Sequence, residues 1–172
     1  MKQVAQPHPL VEWRDGSAED TKLPNNSVDL VTCFQAFHWF NPEPTLKEFA
    51  RILKPGGILA AIWNNRARQD RFTKEYSRLT QIASQNQSEM RYGTEKFLRD
   101  TNLFSLRHLI FPYYQILDCK ALIGTVSTSY ILQQGAVAAK FIQDLEQLCD
   151  RHKNSDGLVY LKYNTSVYLT TL

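Results

Sequence analysis

The densest apolar patterning in this chain lies between residues 27 and 63, in the stretch SVDLVTCFQAFHWFNPEPTLKEFARILKPGGILAAIW. Val28–Phe34 is short and nearly continuously apolar, the pattern of a strand covered on both faces. Asn41 can cap a helix whose first turn tolerates Pro42, because the first N–H groups of a helix have no partner within it. Leu46, Phe49 and Leu53 then recur at helical spacing. The segment LKPGG predicts the end of that helix, since Pro55 cannot continue it and the two glycines allow a left-handed exit. Residues 57–63 supply a second buried run. A strand, a helix and a strand in this order imply a right-handed crossover and a parallel pair. Ligands of such sheets bind beyond the carboxyl ends of the strands. That rule puts Phe34, Gln35, Ala36, Phe37, His38, Trp39, Trp63, Asn64 and Asn65 on one candidate edge.

The remaining pattern attaches elements to this unit. Residues 11–13 are a brief strand candidate, ended by Arg14, Asp15 and Gly16, and residues 17–26 read as loop. Phe72, Tyr76, Leu79 and Ala83 share one face of a helix predicted over 70–85. Residues 86–104 are polar and aromatic-studded, fitting a lid over the strand ends or a plain surface connection. Residues 106–117 are apolar with Pro112 inside, which predicts an edge strand or two short pieces. Asp118 then caps a helix over 120–125, the run STSY makes a break, and Ala138, Phe141, Ile142, Leu145 and Leu148 form the stripe of a second helix. The helical segment 118–153 thus reads as an insertion before the last strand. Asp156-Gly157 turns the chain, and Val159, Leu161, Tyr163, Thr165, Val167 and Leu169 alternate with more polar residues, predicting a long antiparallel strand.

Composition narrows the class. A length of 172 residues suits one domain with a real core, and 43% hydrophobic with 22% charged residues is ordinary for a soluble globular protein. A formal charge of +3, with Lys and Arg scattered, gives no footprint for nucleic acid. Cys33, Cys119 and Cys149 lie far apart with no CxxC pair, which favours buried thiols over disulfides or zinc. No apolar run approaches the roughly 20 residues that span a bilayer, and MKQVAQPHPL has no signal core. The expectation is a soluble cytoplasmic protein without membrane or nucleic-acid partners. Nucleophile elbows, HExxH pairs, Walker loops and GxGxxG fingerprints are missing from the sequence. His38 is the histidine on the candidate edge, although a lone histidine among aromatics is more often packing than base. Glu19 and Asp20 could bind a ligand hydroxyl or amine, against the plainer reading of solvated loop acids, and Trp39 and Trp63 read as part core and part pocket wall.

Taken together, VEWRDGSAE, LPNNSVDLVTCFQAFHWF and LKEFARILKPGGILAAIWNN resemble the middle of a class I S-adenosylmethionine-dependent methyltransferase of the small-molecule type 11 kind. SLRHLIFPYYQILD, STSY and LVYLKYNTSVYLTTL resemble the carboxyl half of that subgroup, so the similarity covers nearly the whole chain. The resemblance implies an α/β, Rossmann-like methyltransferase sheet, parallel at first and closed by a long antiparallel strand. It implies that Ser17 and Ala18 meet the adenine with Glu19 adjacent, and that Phe34, Gln35 and Ala36 run past the methionine part of the cofactor. His38, Trp39, Trp63 and Asn64 would face a small-molecule methyl acceptor. No catalytic or metal-ligating residue is assigned, because the sulfonium cofactor brings its own leaving group and the protein mainly aligns the nucleophile.

The same resemblance shows a departure. The family's first strand with its glycine-rich loop, and its second strand with the acid that holds the ribose, have no counterpart among residues 1–172, which read as a single partial domain. Those strands form the centre of the family's sheet, so Val28–Phe34 is expected to have an open edge. Either residues 11–13 pair there, or a second copy does, giving a homodimer through that edge. Binding of S-adenosylmethionine by this chain alone is expected to be weak. Two alternatives stand beside methyl transfer: a non-catalytic methyltransferase-like module acting by dimerisation or partner binding, and a nucleotide-cofactor oxidoreductase, against which the KPGG and AFHWF segments speak.

Overall fold

The structure is a computed structural model that describes residues 7–84, 106–126 and 136–171. The lid segment 86–104 and the STSY break at 127–130 lie outside the described residues. Four strands form one mixed sheet: β1 (Val28–Phe34), β2 (Leu53–Arg66), β3 (Arg107–Asp118) and β4 (Leu158–Thr171), in the spatial order β1-β2-β4-β3. β1 and β2 are parallel, while β4 runs antiparallel to both β2 and β3. This agrees with the expected sheet, parallel at first and closed by a long antiparallel strand. Among the described residues four helices accompany them: α1 (Pro42–Ile52), α2 (Arg71–Ala83), α3 (Cys119–Gly124) and α4 (Ala136–His152).

The helices cover opposite faces at opposite ends of the sheet. α1 packs Leu46, Phe49 and Ile52 against Cys33, Leu59, Ala61, Trp63 and Tyr168. On the other face, Phe72 and Tyr76 of α2, Leu122 of α3, and Phe141, Leu145 and Leu148 of α4 close over Val159 and Leu161. The 14-residue strand β4 therefore buries odd-numbered positions at its start and even-numbered ones, Ser166, Tyr168 and Thr170, at its end. The predicted stripes of α2 and α4 and the cap at Asp118 are found, with Asp118 accepting from the Ala121 N–H at 2.7 Å. Asp70 likewise caps α2, accepting from the N–H and hydroxyl of Thr73, both at 3.0 Å. β3 is one continuous edge strand despite Pro112.

Four expectations need correction. Residues 11–13 form no strand; Val11 and Trp13 are half exposed, and Glu12 pairs with Arg14 in solvent, so this segment does not cover β1. β1 is covered on one face only: Cys33 is buried, but Leu30 and Phe34 are 54% and 67% exposed, because the helix that shields it packs on the other side. The helix does end at LKPGG, at Ile52 with Leu53 as its cap and Gly56 left-handed, but the segment is not a free glycine turn: it is the opening of β2. Val28 pairs with Leu53 and Leu30 with Ile58, so Lys54, Pro55, Gly56 and Gly57 form a bulge inside the ladder. Gly56 has φ +79°, and a Cβ on Gly57 would meet the Lys54 carbonyl oxygen at 2.9 Å and the Asp29 carbonyl oxygen at 3.2 Å. Gly57→Ala is therefore expected to destabilise the chain by about 1–2 kcal/mol, read as a lowered urea midpoint with unchanged slope. Finally, Cys119 and Cys149 form a disulfide between α3 and α4, where the sequence reading had thiols. The pairing depends on two helices brought together by the fold, which spacing along the chain does not show. Only Cys33 is the expected buried thiol, pushed up to about 11 by burial and so held protonated.

Candidate functional site

The carboxyl ends of β1 and β2 are shaped by a hook at Gln35. Its backbone takes a left-handed φ of +51°, its N–H donates to the Ile62 carbonyl at 2.9 Å, and its side-chain amide donates to the Asn64 carbonyl at 3.3 Å. A non-glycine residue in that region is uncommon and is held here by bonds to the neighbouring strand. The hook throws the chain across the strand ends into a single 3-10 turn, Phe37–Trp39. Phe37 anchors the turn: it is fully buried, with its ring 6.0 to 6.5 Å from those of Phe40, Phe49 and Trp63. The two residues that follow are left at the rim. His38 is half-buried, Trp39 is 74% exposed, and their rings lie 4.9 Å apart.

Trp63, expected to be part core and part pocket wall, is core. It is 1% exposed, packed edge-on against Phe37 and Tyr168, and it reaches the rim through one group, its indole N–H, which donates to Nδ1 of His38 at 3.4 Å. That bond has a chemical consequence. A neutral imidazole that accepts at Nδ1 carries its proton on Nε2, so in this tautomer Nε2 is the hydrogen-bond donor of the ring. Asn64 is exposed at the same rim, its side-chain oxygen accepting from the Thr165 hydroxyl at 3.1 Å.

The loop that holds Ser17, Ala18 and Glu19 meets this rim at the start of α1. Ser17 and Asp20 exchange backbone hydrogen bonds at 3.1 and 3.3 Å, and Ala18 packs on the core beneath α1. The carboxylate of Glu19 accepts from the Asn41 N–H at 3.0 Å and the Thr45 hydroxyl at 3.3 Å. Asn41 makes no side-chain cap, so Glu19 caps α1 in its place, and the Asn41 N–H bond leads the effects that lower its pKa. Two residues outside the sequence reading fix the rest of the loop. Glu48, 8% exposed, accepts from the Thr21 N–H and hydroxyl at 2.8 and 2.6 Å and from Arg51 at 2.7 Å. Arg51 in turn donates to the Leu23 carbonyl at 2.8 Å and to Asn25 at 2.6 Å. The signal was an acid and a base three residues apart on a predicted helix, a pattern that ordinarily means a solvated pair.

The structure thus joins Gln35 to Asn64, His38 to Trp63, and Glu19 to the segment after the 3-10 turn. The loop and the β1 exit meet through α1, with no direct bond between Ser17 or Ala18 and residues 34–36 among the described bonds. No group of three or more potential metal ligands occurs among the described residues. A cleft of about 250 Å³ between α2 and α4, lined by Glu75, Arg78, Leu79, Ile82, Asp144 and Gln147, contains none of the candidate site residues.

A parallel pair whose exit segments converge on one rim, extended by two antiparallel strands with helices between them, makes this an α/β protein. A methyltransferase domain profile matches residues 1–61. An uncharacterized methyltransferase of Schizosaccharomyces pombe is 36% identical over 125 residues, covering 73% of this chain and 45% of that protein. An uncharacterized methyltransferase of Mycobacterium tuberculosis is 34% identical over 162 residues, 91% of this chain and 64% of that one. Among solved structures, a candidate type II methyltransferase from Anaeromyxobacter dehalogenans superposes with a TM-score of 0.71 over 98% of this chain and 74% of its own, at 22% identity. Residues 1–61 thus match the methyltransferase domain family, and the chain is similar to methyltransferases over most of its length. It spans 45% and 64% of the length of the two curated relatives.

Proposed function

We propose that these residues form the methionine-side and acceptor-side wall of a site for S-adenosylmethionine-dependent methyl transfer to a small molecule. The observation that carries this reading is the Gln35 hook, which lays the backbone of residues 34–36 across the strand ends and presents His38 and Trp39 beyond it. S-adenosylmethionine held here would supply an electrophilic methyl group together with its own leaving group, the sulfur that takes back the bonding pair. Alignment and exclusion of water are the protein's tasks. Trp39 supplies an apolar wall, and His38, in the tautomer set by Trp63, donates a hydrogen bond that orients the acceptor. Ser17 and Ala18 lie toward the adenine in this reading, with Glu19 committed to holding α1.

Ultraviolet crosslinking with methyl-labelled S-adenosylmethionine and with labelled NAD tests the assignment. Label from S-adenosylmethionine in the peptide containing residues 34–41 is expected. Label from NAD alone would instead support the oxidoreductase reading. Calorimetry on the 172-residue chain is expected to give binding weaker than micromolar, because the glycine-rich loop and ribose acid of the family have no counterpart among these residues. Micromolar binding would contradict that expectation. A second reading, a non-catalytic module acting through partners, is favoured by the exposed Leu30 and Phe34 on edge strand β1. It predicts crosslinking to neither cofactor.

A further inference from the structure

The cleft between α2 and α4 lies apart from the rim at Gln35 and is built by two matching helix stripes. On α2, Glu75, Arg78, Leu79 and Ile82 face it at i, i+3, i+4 and i+7. On α4, Asp144, Gln147, Leu148 and Arg151 face it at the same spacing. The ion pair of Glu75 with Arg151 sets the stripes antiparallel, which places Ile82 toward the Asp144 end. Leu148, fully buried, and Leu79, partly buried, make an apolar floor continuous with the core over β4. Ile82 carries that apolar surface outward and is 62% exposed.

The charges around the floor do not cancel. Glu75 accepts from Arg71 at 3.2 Å and from Arg151 at 3.4 Å, and Nε2 of His152 lies 3.4 Å from it. Burial pushes the Glu75 carboxyl up, but the bonds from Arg71 and His152 outweigh it and hold it below the usual range. Asp144 is paired with Lys140 at 2.8 Å. Both carboxylates of the cleft are therefore already matched. Arg78 is exposed in the middle of the α2 stripe and has no hydrogen bond or ion pair among the described residues. The Gln147 side chain, on the facing helix, has none either. Arg71, Arg78, Arg151 and Lys140 thus stand against two carboxylates, an excess of positive charge with donors to spare.

We infer that this cleft binds a small arylalkyl carboxylate, its acid group on Arg78 and its apolar body on Leu79, Leu148 and Ile82. A guanidinium presents two parallel N–H donors that match a carboxylate, and the Gln147 amide offers a further donor from the other helix. A cavity of about 150 Å³ holds benzene. The cleft, at about 250 Å³, takes one ring with a short acid arm. From residue 75 to residue 82 the helix rises only about 10 Å, short of what a docked partner helix of three turns needs. Both walls are helices fixed by the core beneath them, so the site is formed before the ligand arrives. It shares no residue with the rim, and this holds whether or not the chain transfers methyl groups.

The test is titration of the isotope-labelled full chain with phenylacetate, followed by amide NMR. Saturable shifts confined to the cleft-lining turns of α2 and α4 are expected, with a Kd on the order of 1 mM for a ligand of this size. Phenylacetamide, the neutral counterpart, is expected to bind about ten-fold more weakly, because it lacks the charge that Arg78 pairs. Arg78→Gln alters an exposed side chain without a partner, so the fold should be unchanged. That variant is expected to lose about ten-fold in affinity for phenylacetate and nothing for phenylacetamide. Shifts that do not saturate or lie elsewhere, equal binding of acid and amide, or undiminished phenylacetate binding by Arg78→Gln would each overturn the inference. Concentration-dependent shifts of the same residues with no probe added would assign the cleft to a second copy and overturn it as well.

Discussion

Reducing the Cys119–Cys149 bridge is expected to lower the unfolding free energy by about 3–4 kcal/mol, the value for closing a loop of 30 residues. The bridge ties the first residue of α3 to the last turns of α4, and Cys149 is fully buried among the residues that close over β4. Without it, the unfolded chain regains the freedom of the whole intervening segment. The folded state keeps its packing, because Leu122, Leu145, Leu148 and Leu161 are buried independently of the sulfur–sulfur bond. Urea unfolding with and without reductant is the measurement, with the Cys119→Ser/Cys149→Ser variant as a reductant-insensitive reference. Superimposable curves for the oxidised and reduced protein would show that the bridge adds nothing. Cys33 takes no part, being buried on the opposite face of the sheet. With two of three cysteines paired, the cysteine count no longer argues for a reducing compartment.

What could be read from the sequence was whatever local periodicity carries. The stripe of α2, the stripe of α4 and the alternation of β4 each repeat over enough residues to define an element. The rest depended on neighbours. In LKPGG the end of the helix was legible, but that the same residues open a bulge in β2 needed the pairing of Val28 with Leu53. The apolar run in β1 looked covered on both faces, yet Leu30 and Phe34 face away from α1. β4 shows one alternation in sequence and two in burial, because the helices that cover it sit on opposite faces at its two ends. At the site, placing Gln35 and His38 on the rim needed only the strand–helix–strand order. The interior position of Trp63, and the indole bond that sets the His38 tautomer, needed the tertiary structure. Glu48 was hidden because an acid on a helix surface reads as solvated until the loop that it holds is seen.

Glu48→Gln is expected to destabilise the chain by about 2–3 kcal/mol near neutral pH, since the carboxylate serves Thr21 and Arg51 at once and charge-assisted bonds carry the larger values. The loss should follow the ionisation of Glu48. Its hydrogen bond from Arg51, then those from Thr21, lower its pKa from 4.5 to about 2. A depressed folded-state pKa means that the unfolded chain takes up the proton first. The stabilisation is therefore complete above the unfolded value of 4.5 and is lost as pH falls from there through about 2. Glutamine has no such ionisation, so the stability gap between the two proteins should close across that window. Urea titrations at a series of pH values measure it, and a gap that stays constant down to the acid limit would mean that the charge on Glu48 is irrelevant. The functional side of the prediction is local. Thr21 and Leu23 are fastened to α1 by this pair, so the variant should expose residues 17–23 to faster amide exchange while β4 stays protected. If the proposed adenine contact at Ser17 and Ala18 is correct, loosening this loop weakens cofactor crosslinking and leaves the Gln35 hook, which is bonded to β2, in place.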